Sequence, residues 1–154
     1  LDSDMAASFA ALSASAARNR LFSQKAKADG RPDAALVLSA VAEGEEIMAR
    51  RALIALRGKI FDLDDYLAQI ADAKAQAAAQ FDGRARSAKE SKEDNIADAY
   101  GRFGAVSENH RGQIGGGASA LYVCQVCGYI AAGEAPDRCP VCNAVARKFK
   151  AHSL

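Results

Sequence analysis

Four cysteines, Cys124, Cys127, Cys139 and Cys142, form two Cys-x-x-Cys pairs with eleven residues between them. Four thiolates at this spacing suit one tetrahedral metal ion held by metal–sulfur bonds of about 2.3 Å. Two disulfides or free thiols are the plainer alternative, and the clustering of all four cysteines argues against both. Each Cys-x-x-Cys turn must curl its backbone N–H groups toward sulfur. The residue after the second cysteine therefore needs a positive φ, which Gly128 and Asn143 tolerate. Four thiolates accept zinc and iron alike, so the spacing leaves a structural zinc and a redox iron both open. A module of some 30 residues cannot bury enough apolar surface to fold alone, and the metal would supply that stability. No glycine-rich phosphate loop, Ser-His-Asp pattern or nucleophile elbow accompanies these cysteines.

The rest of the chain must position this module. It has 154 residues, 50% hydrophobic but only 6% aromatic and without Trp, and alanine makes up the difference. Such content reads as close-packed helices. Helix one is predicted over 3–28, stopping at Gly30-Arg31-Pro32. Helix two begins at Pro32 and ends at 56 or 57 before Gly58. Asp62 with Asp65 resembles a capping box for helix three, 63–88, and Ser91 with Asp94 repeats the signal for helix four, which ends at the triple glycine 115–117. Short turns imply an up-and-down four-helix bundle, with a ferritin-like crossover between helices two and three equally open. The expected division is a bundle over 1–114, a Gly-rich linker over 115–121 and the metal module over 122–154. As a flexible coil that linker spans roughly 14 Å.

Lys plus Arg number 20 against 19 for Asp plus Glu. This balance leaves no electrostatic footprint for nucleic acid or an anionic membrane. No apolar run approaches the ~20 residues of a membrane span, and residues 1–17 lack a basic signal-peptide start. These features predict a soluble, cytoplasmic protein.

Two helices carry polar groups on apolar stripes. Helix four shows Ile96, Tyr100, Phe103, Ser107, His110 and Ile114 at bundle spacing, and helix two shows Val37, Val41, Glu45, Met48 and Ala52. A carboxylate on such a stripe needs a partner. Glu45 and His110 could satisfy one another or a buried water, or form a mononuclear metal site. Met48 or His110 could instead ligate a non-covalent haem. Gly101, Gly104 and Gly112 on helix four invite close approach of another helix, including one from a second subunit. The charged segment 84–93 reads as a solvated turn whose basic half could dock an acidic redox partner, and His152 as a solvated tail residue.

Cys-x-x-Cys-Gly-Tyr (124–129) followed by Cys-Pro-x-Cys (139–142) resembles the rubredoxin signature. Placed after a four-helix bundle, it is similar to the rubrerythrin family, as are Phe9-Ala10, Ala17-Arg18-Asn19-Arg20 and Ala105-Val106-x-Glu108 before His110. The resemblance implies a rubredoxin-type iron that feeds electrons to a di-iron carboxylate site reducing hydrogen peroxide. It also implies a homodimer or higher oligomer, with one chain's rubredoxin module near another's bundle. This chain departs from the family at the bundle ligands. Ala14, Met48, Ala73, Gln76 and Ser107 stand where carboxylates or histidine belong, and only Glu45 and His110 remain. A one-residue slip would bring Glu43, Glu46 or Glu108 inward, and helix three offers at most Asp72. The expectation is one iron per chain at Cys124, Cys127, Cys139 and Cys142, with zinc as the alternative metal and no di-iron centre. The chain then acts as an electron carrier with a redox partner, including as an accessory subunit of a larger oxidoreductase. A rubrerythrin-type peroxide reductase with an altered bundle site, and a zinc-stabilised interaction module, are the rivals.

Overall fold

Small residues at heptad spacing build most of the first half of the chain. In the computed structural model, which describes residues 2–57 and 62–153, helices α1 (Asp2–Ala28) and α2 (Pro32–Arg57) pack as an antiparallel hairpin. The side chains turned inward on α1 are Phe9, Leu12, Ala16, Asn19, Ser23 and Ala26. Those on α2 are Ala35, Leu38, Ala42, Glu45, Ala49 and Ala52. Both series repeat at three and four residues, the spacing of a helix seam, and alanine lets the two backbones approach closely. Ala35 and Ala42 are sealed completely.

The stripe expected on α2 is only partly correct. Glu45 and Ala52 lie in the seam, but Val37, Val41 and Met48 are exposed on this hairpin. Alanine heptads, weak in hydropathy, decide which face closes. The turn between α1 and α2 has Gly30 at φ +71°, with Arg31 N–H donating to Ala26 at 2.8 Å and Gly30 N–H to Lys27 at 3.2 Å. This double bond is the Schellman ending that glycine permits. The predicted stop at Gly58 lies outside the described residues.

The second compact unit, Asp62–Leu154, contains α3 (Leu63–Glu90), α4 (Asp94–Gln113) and a small sheet. Asp62 caps α3, its carboxylate accepting the N–H groups of Asp64 and Asp65. The second capping box does not form. Helix α3 runs to Glu90, Ser91 closes it, and Lys92 takes φ +61°. Glu93 N–H then donates to Ala88 and Lys92 N–H to Lys89, again a Schellman ending, which uses Ser91 before it could open α4.

Helix α4 meets α3 through Gly104, where a Cβ would sit 3.5 Å from the Ala78 carbonyl oxygen, so the expected close approach is real there. A Cβ on Gly101 or Gly112 would meet nothing. Ser107 is buried as expected, whereas Ile96 and Phe103 are exposed. Phe81, Tyr100 and Phe103 pack edge and face, and the Arg84 guanidinium lies over Phe81 and Tyr100. Of the charged segment 84–93 expected as a turn, residues 84–90 are the last turns of α3, and the turn itself is confined to 91–93.

The sheet has order β2-β1-β3, all antiparallel: β1 (Ala120–Cys124), β2 (Ile130–Ala132) and β3 (Phe149–Ser153). His152 is exposed but pairs in β3 opposite Leu121, so it belongs to a strand rather than a loose tail. The fold class matches the sequence reading: mainly α, four helices followed by a small β module with a four-cysteine cluster. Among the described residues no helix is long and apolar enough to cross a membrane.

Candidate metal centre

The two cysteine pairs come from two tight turns of the small module. The first leaves β1 at Cys124, where Gly128 N–H donates to the Cys124 carbonyl at 2.9 Å and Gly128 adopts φ +86°. The second repeats this between Asn143 N–H and the Cys139 carbonyl at 2.8 Å, with Asn143 at φ +61°. Both positive angles fall where the thiolate geometry requires them. Cross-bonds fix each turn to its surroundings: Cys124 N–H to Tyr129, Cys139 N–H to Ala144 and Gln125 N–H to Lys148.

All four sulfurs lie within 4.8 Å of one another. Cys124 Sγ stands 3.6 Å from Cys142 Sγ, and Cys127 Sγ the same distance from Cys139 Sγ. These separations are far beyond a disulfide bond of about 2.05 Å. They are close to the edge of about 3.8 Å for a tetrahedron with metal–sulfur bonds of about 2.3 Å. The cluster can therefore bind one metal ion, iron or zinc. Among the described residues it is the one group of three or more His, Cys, Asp and Glu side chains able to do so.

The sulfur environment is uneven. Burial pushes the Cys127 thiol well up, against the Tyr129 N–H that donates to its sulfur. Burial raises the Cys142 thiol as well, opposed by the Ala144 N–H. At Cys124 burial acts in the same direction, but the N–H groups of Cys127 and Val126 and the sulfurs of Cys142 and Cys127 together hold the thiol below its ordinary value. N–H groups aimed at sulfur favour the thiolate, the form a metal needs.

Helix α4 reaches this module directly. Asn109 Nδ2 donates to the Ile130 carbonyl at 3.0 Å, and Ile130 N–H donates to Asn109 Oδ1 at 2.8 Å. One side-chain amide thus pairs with both backbone groups of a residue on the edge strand β2. His110 Nε2 lies 2.7 Å from the Gly128 carbonyl oxygen, and Val106 Cγ1 lies 3.7 Å from a Cβ built on Gly128. A carbonyl oxygen only accepts, so Nε2 of His110 carries the proton.

Residues 122–150 match the family described as rubrerythrin, rubredoxin-like domain. The chain is also similar to solved structures of nigerythrin. In the mixed-valent state the TM-score is 0.54 at 19% identity, covering 98% of this chain and 86% of nigerythrin. In the fully reduced, all-ferrous state the TM-score is 0.55 at 18% identity with the same coverage. The metal module is thus similar to the rubredoxin-like domain of rubrerythrin, and the fold of the chain is similar to that of nigerythrin. No curated protein matches it significantly.

At the helix positions where the resemblance would place bundle ligands, few side chains could ligate, and the remaining ones are engaged. Glu45 Oε1 accepts the Ser15 hydroxyl at 2.7 Å, and Oε2 accepts Asn19 Nδ2 at 2.9 Å. His110 is engaged by Gly128. The two groups expected to satisfy each other thus find partners on α1 and in the metal module. Met48 is 56% exposed. Ala14, Ala73 and Gln76 are exposed and Ser107 is buried. Glu46 receives Arg20 Nε and Nη2, both at 2.8 Å, and Glu108 pairs with Arg111. Glu43 and Asp72 are exposed. Sequence reasoning missed Ser15, Asn19 and Asn109. The first two could have been found from their helical spacing on one face of α1, whereas nothing local marks Asn109.

Proposed function

We propose that the chain is a one-electron carrier. A rubredoxin-type iron held by Cys124, Cys127, Cys139 and Cys142 would supply ferric–ferrous chemistry, with the helices as oligomerisation and docking scaffold. The observation that carries this reading is the set of four converging sulfurs in a chain whose helix positions matching the family's ligands are apolar, hydroxylic, an exposed amide or already hydrogen-bonded. The chain's own residues do the remaining work. The backbone N–H groups around Cys124, Cys127 and Cys142 favour thiolate, and the hydrogen-bonded turns direct the four sulfurs at one point, where they would hold the metal in the same cage in both oxidation states. The partners are a one-electron donor protein and a one-electron acceptor protein. Free thiols in a cluster suit the cytoplasm. The exposed Val37, Val41 and Met48 on one hairpin, and Phe103 on the other, favour a homodimer or higher oligomer.

A second reading, a rubrerythrin-type peroxide reductase with an altered bundle site, is favoured by the likeness to nigerythrin, which runs through 98% of the chain and supports this reading at least as well. Nigerythrin is described there in mixed-valent, partially reduced and all-ferrous states, so its irons change oxidation state, which supports redox iron over zinc for both readings.

Iron and zinc counted per chain on anaerobically purified protein, with a visible spectrum and a peroxide turnover assay, separate these readings. One iron with a ferric-thiolate spectrum and no turnover supports the carrier. Two or three irons with turnover establish the peroxide reductase, and zinc alone from iron-replete cells overturns both.

A further inference from the structure

The bond from His110 to Gly128 acts on more than docking. The Gly128 carbonyl and the Tyr129 N–H belong to one peptide group. His110 Nε2 donates to its oxygen at 2.7 Å, and its N–H faces the Cys127 sulfur. A hydrogen bond at one end of a planar amide polarises it and strengthens the bond made at the other end. We propose that His110 is a positioning residue that raises the reduction potential of the cysteine-bound iron through the Gly128–Tyr129 peptide, while the Asn109 clamp on Ile130 holds the module in register on α4. This inference rests on reading the cluster as an iron site.

The sign follows from charge. When a one-electron donor protein reduces ferric iron to ferrous, the iron with its four thiolates gains one negative charge and no bond breaks. The more negative state is stabilised more by an N–H aimed at sulfur, so strengthening that donor favours reduction. Strengthening a charge-assisted hydrogen bond by roughly 10–30% corresponds to at most about a 1.3- to fivefold shift in the ferrous-to-ferric ratio at fixed ambient potential. The geometry suits such coupling. His110 comes from a 20-residue helix, Asn109 beside it pairs with both backbone groups of Ile130, and Val106 packs under Gly128. The imidazole is thus held on its carbonyl from a rigid element on the same compact unit.

The test uses the full-length chain in two metal forms. In the iron form, His110→Leu is expected to lower the midpoint potential, shifting the ferrous-to-ferric ratio by roughly 1.3- to fivefold. His110→Gln, whose amide can still donate, restores most of the shift. In the zinc form, which needs no redox activity, His110→Leu moves the Tyr129 amide proton resonance upfield as its bond to sulfur weakens. Slowed hydrogen exchange at Ile130 shows that the module is still docked. Asn109→Leu controls for docking by removing the clamp while keeping the imidazole. An unchanged potential and an unmoved Tyr129 amide in docked His110→Leu overturn the proposal. So does an equal shift in Asn109→Leu with the His110 bond intact. If the protein carries only zinc, the electron-carrier reading fails, but the Tyr129 shift still decides whether the peptide couples His110 to sulfur.

Discussion

Asn19 donates its side-chain amide to Glu45 at 2.9 Å, across the seam of the α1–α2 hairpin. With Ser15 on the other oxygen, both carboxylate oxygens are held by neutral donors from α1. These bonds give Glu45 a structural place in the seam, and among the described residues no cluster of carboxylates such as two hard cations require forms around it.

The first prediction concerns metal. Glu45→Gln keeps the side chain's shape and removes its charge, and it should leave iron per chain unchanged by elemental analysis. Loss of one or two irons would show that the helices bind metal after all. Ser15→Ala should cost about 1 kcal/mol in urea unfolding, the net worth of one part-buried hydrogen bond.

A second expectation tests the division into helices over 1–114 and metal module over 122–154, which we propose as the working organisation. Cys127→Ser removes one of four ligands and should bring bound iron to near zero, with the ferric-thiolate absorption. Helicity by far-ultraviolet circular dichroism should remain, because the α1–α2 seam and the α3–α4 contacts contain no cysteine. Collapse of helicity in this variant would mean that metal binding and helix packing form one cooperative unit.

How much was legible in the sequence depends on the range of the forces involved. The cysteine turns could be read because their demands are local: a glycine or asparagine after the second cysteine, and positive φ at Gly128 and Asn143. Helix ends at Pro32 and Asp62 were equally plain. Ser91 misled because the capping signal competes with a C-terminal ending that Lys92 completes in the left-handed region. The seam of α2 misled for a different reason. Val37, Val41 and Met48 outweigh alanine in hydropathy, but Ala35, Ala42 and Ala49 allow the closer backbone approach. Asn109 was unreadable, since its partner Ile130 lies 21 residues away and no local pattern links them.

Glycines on α4 give a third prediction. Gly101→Ala adds a Cβ into open space on a helix and should stabilise the protein by about 1 kcal/mol through helix propensity. Gly104→Ala gains the same propensity but places its Cβ 2.6 Å from Asp82 Oδ1, which must swing aside. It should therefore come out near neutral by thermal unfolding. A destabilised Gly101→Ala, accompanied by dissociation in sedimentation, would reveal a second subunit packed at that position.

The last prediction is a pH dependence. Hydrogen bonding to Arg20 holds the Glu46 carboxyl below its ordinary value; desolvation opposes it, and Coulombic attraction to Arg20 and Arg50 adds to the lowering. A folded-state value below the unfolded one means that the pair stabilises the protein fully above the ordinary glutamate range near 4.5, and that this contribution is lost as pH falls through the lowered folded value. The difference in melting temperature between wild type and Glu46→Gln should therefore be positive at neutral pH. It should narrow under acid and vanish once Glu46 is protonated in the folded state. Because both side chains are well exposed, the neutral-pH difference should be small and should shrink further in high salt. A difference that persists at acid pH would show that Glu46 acts through packing rather than through its charge.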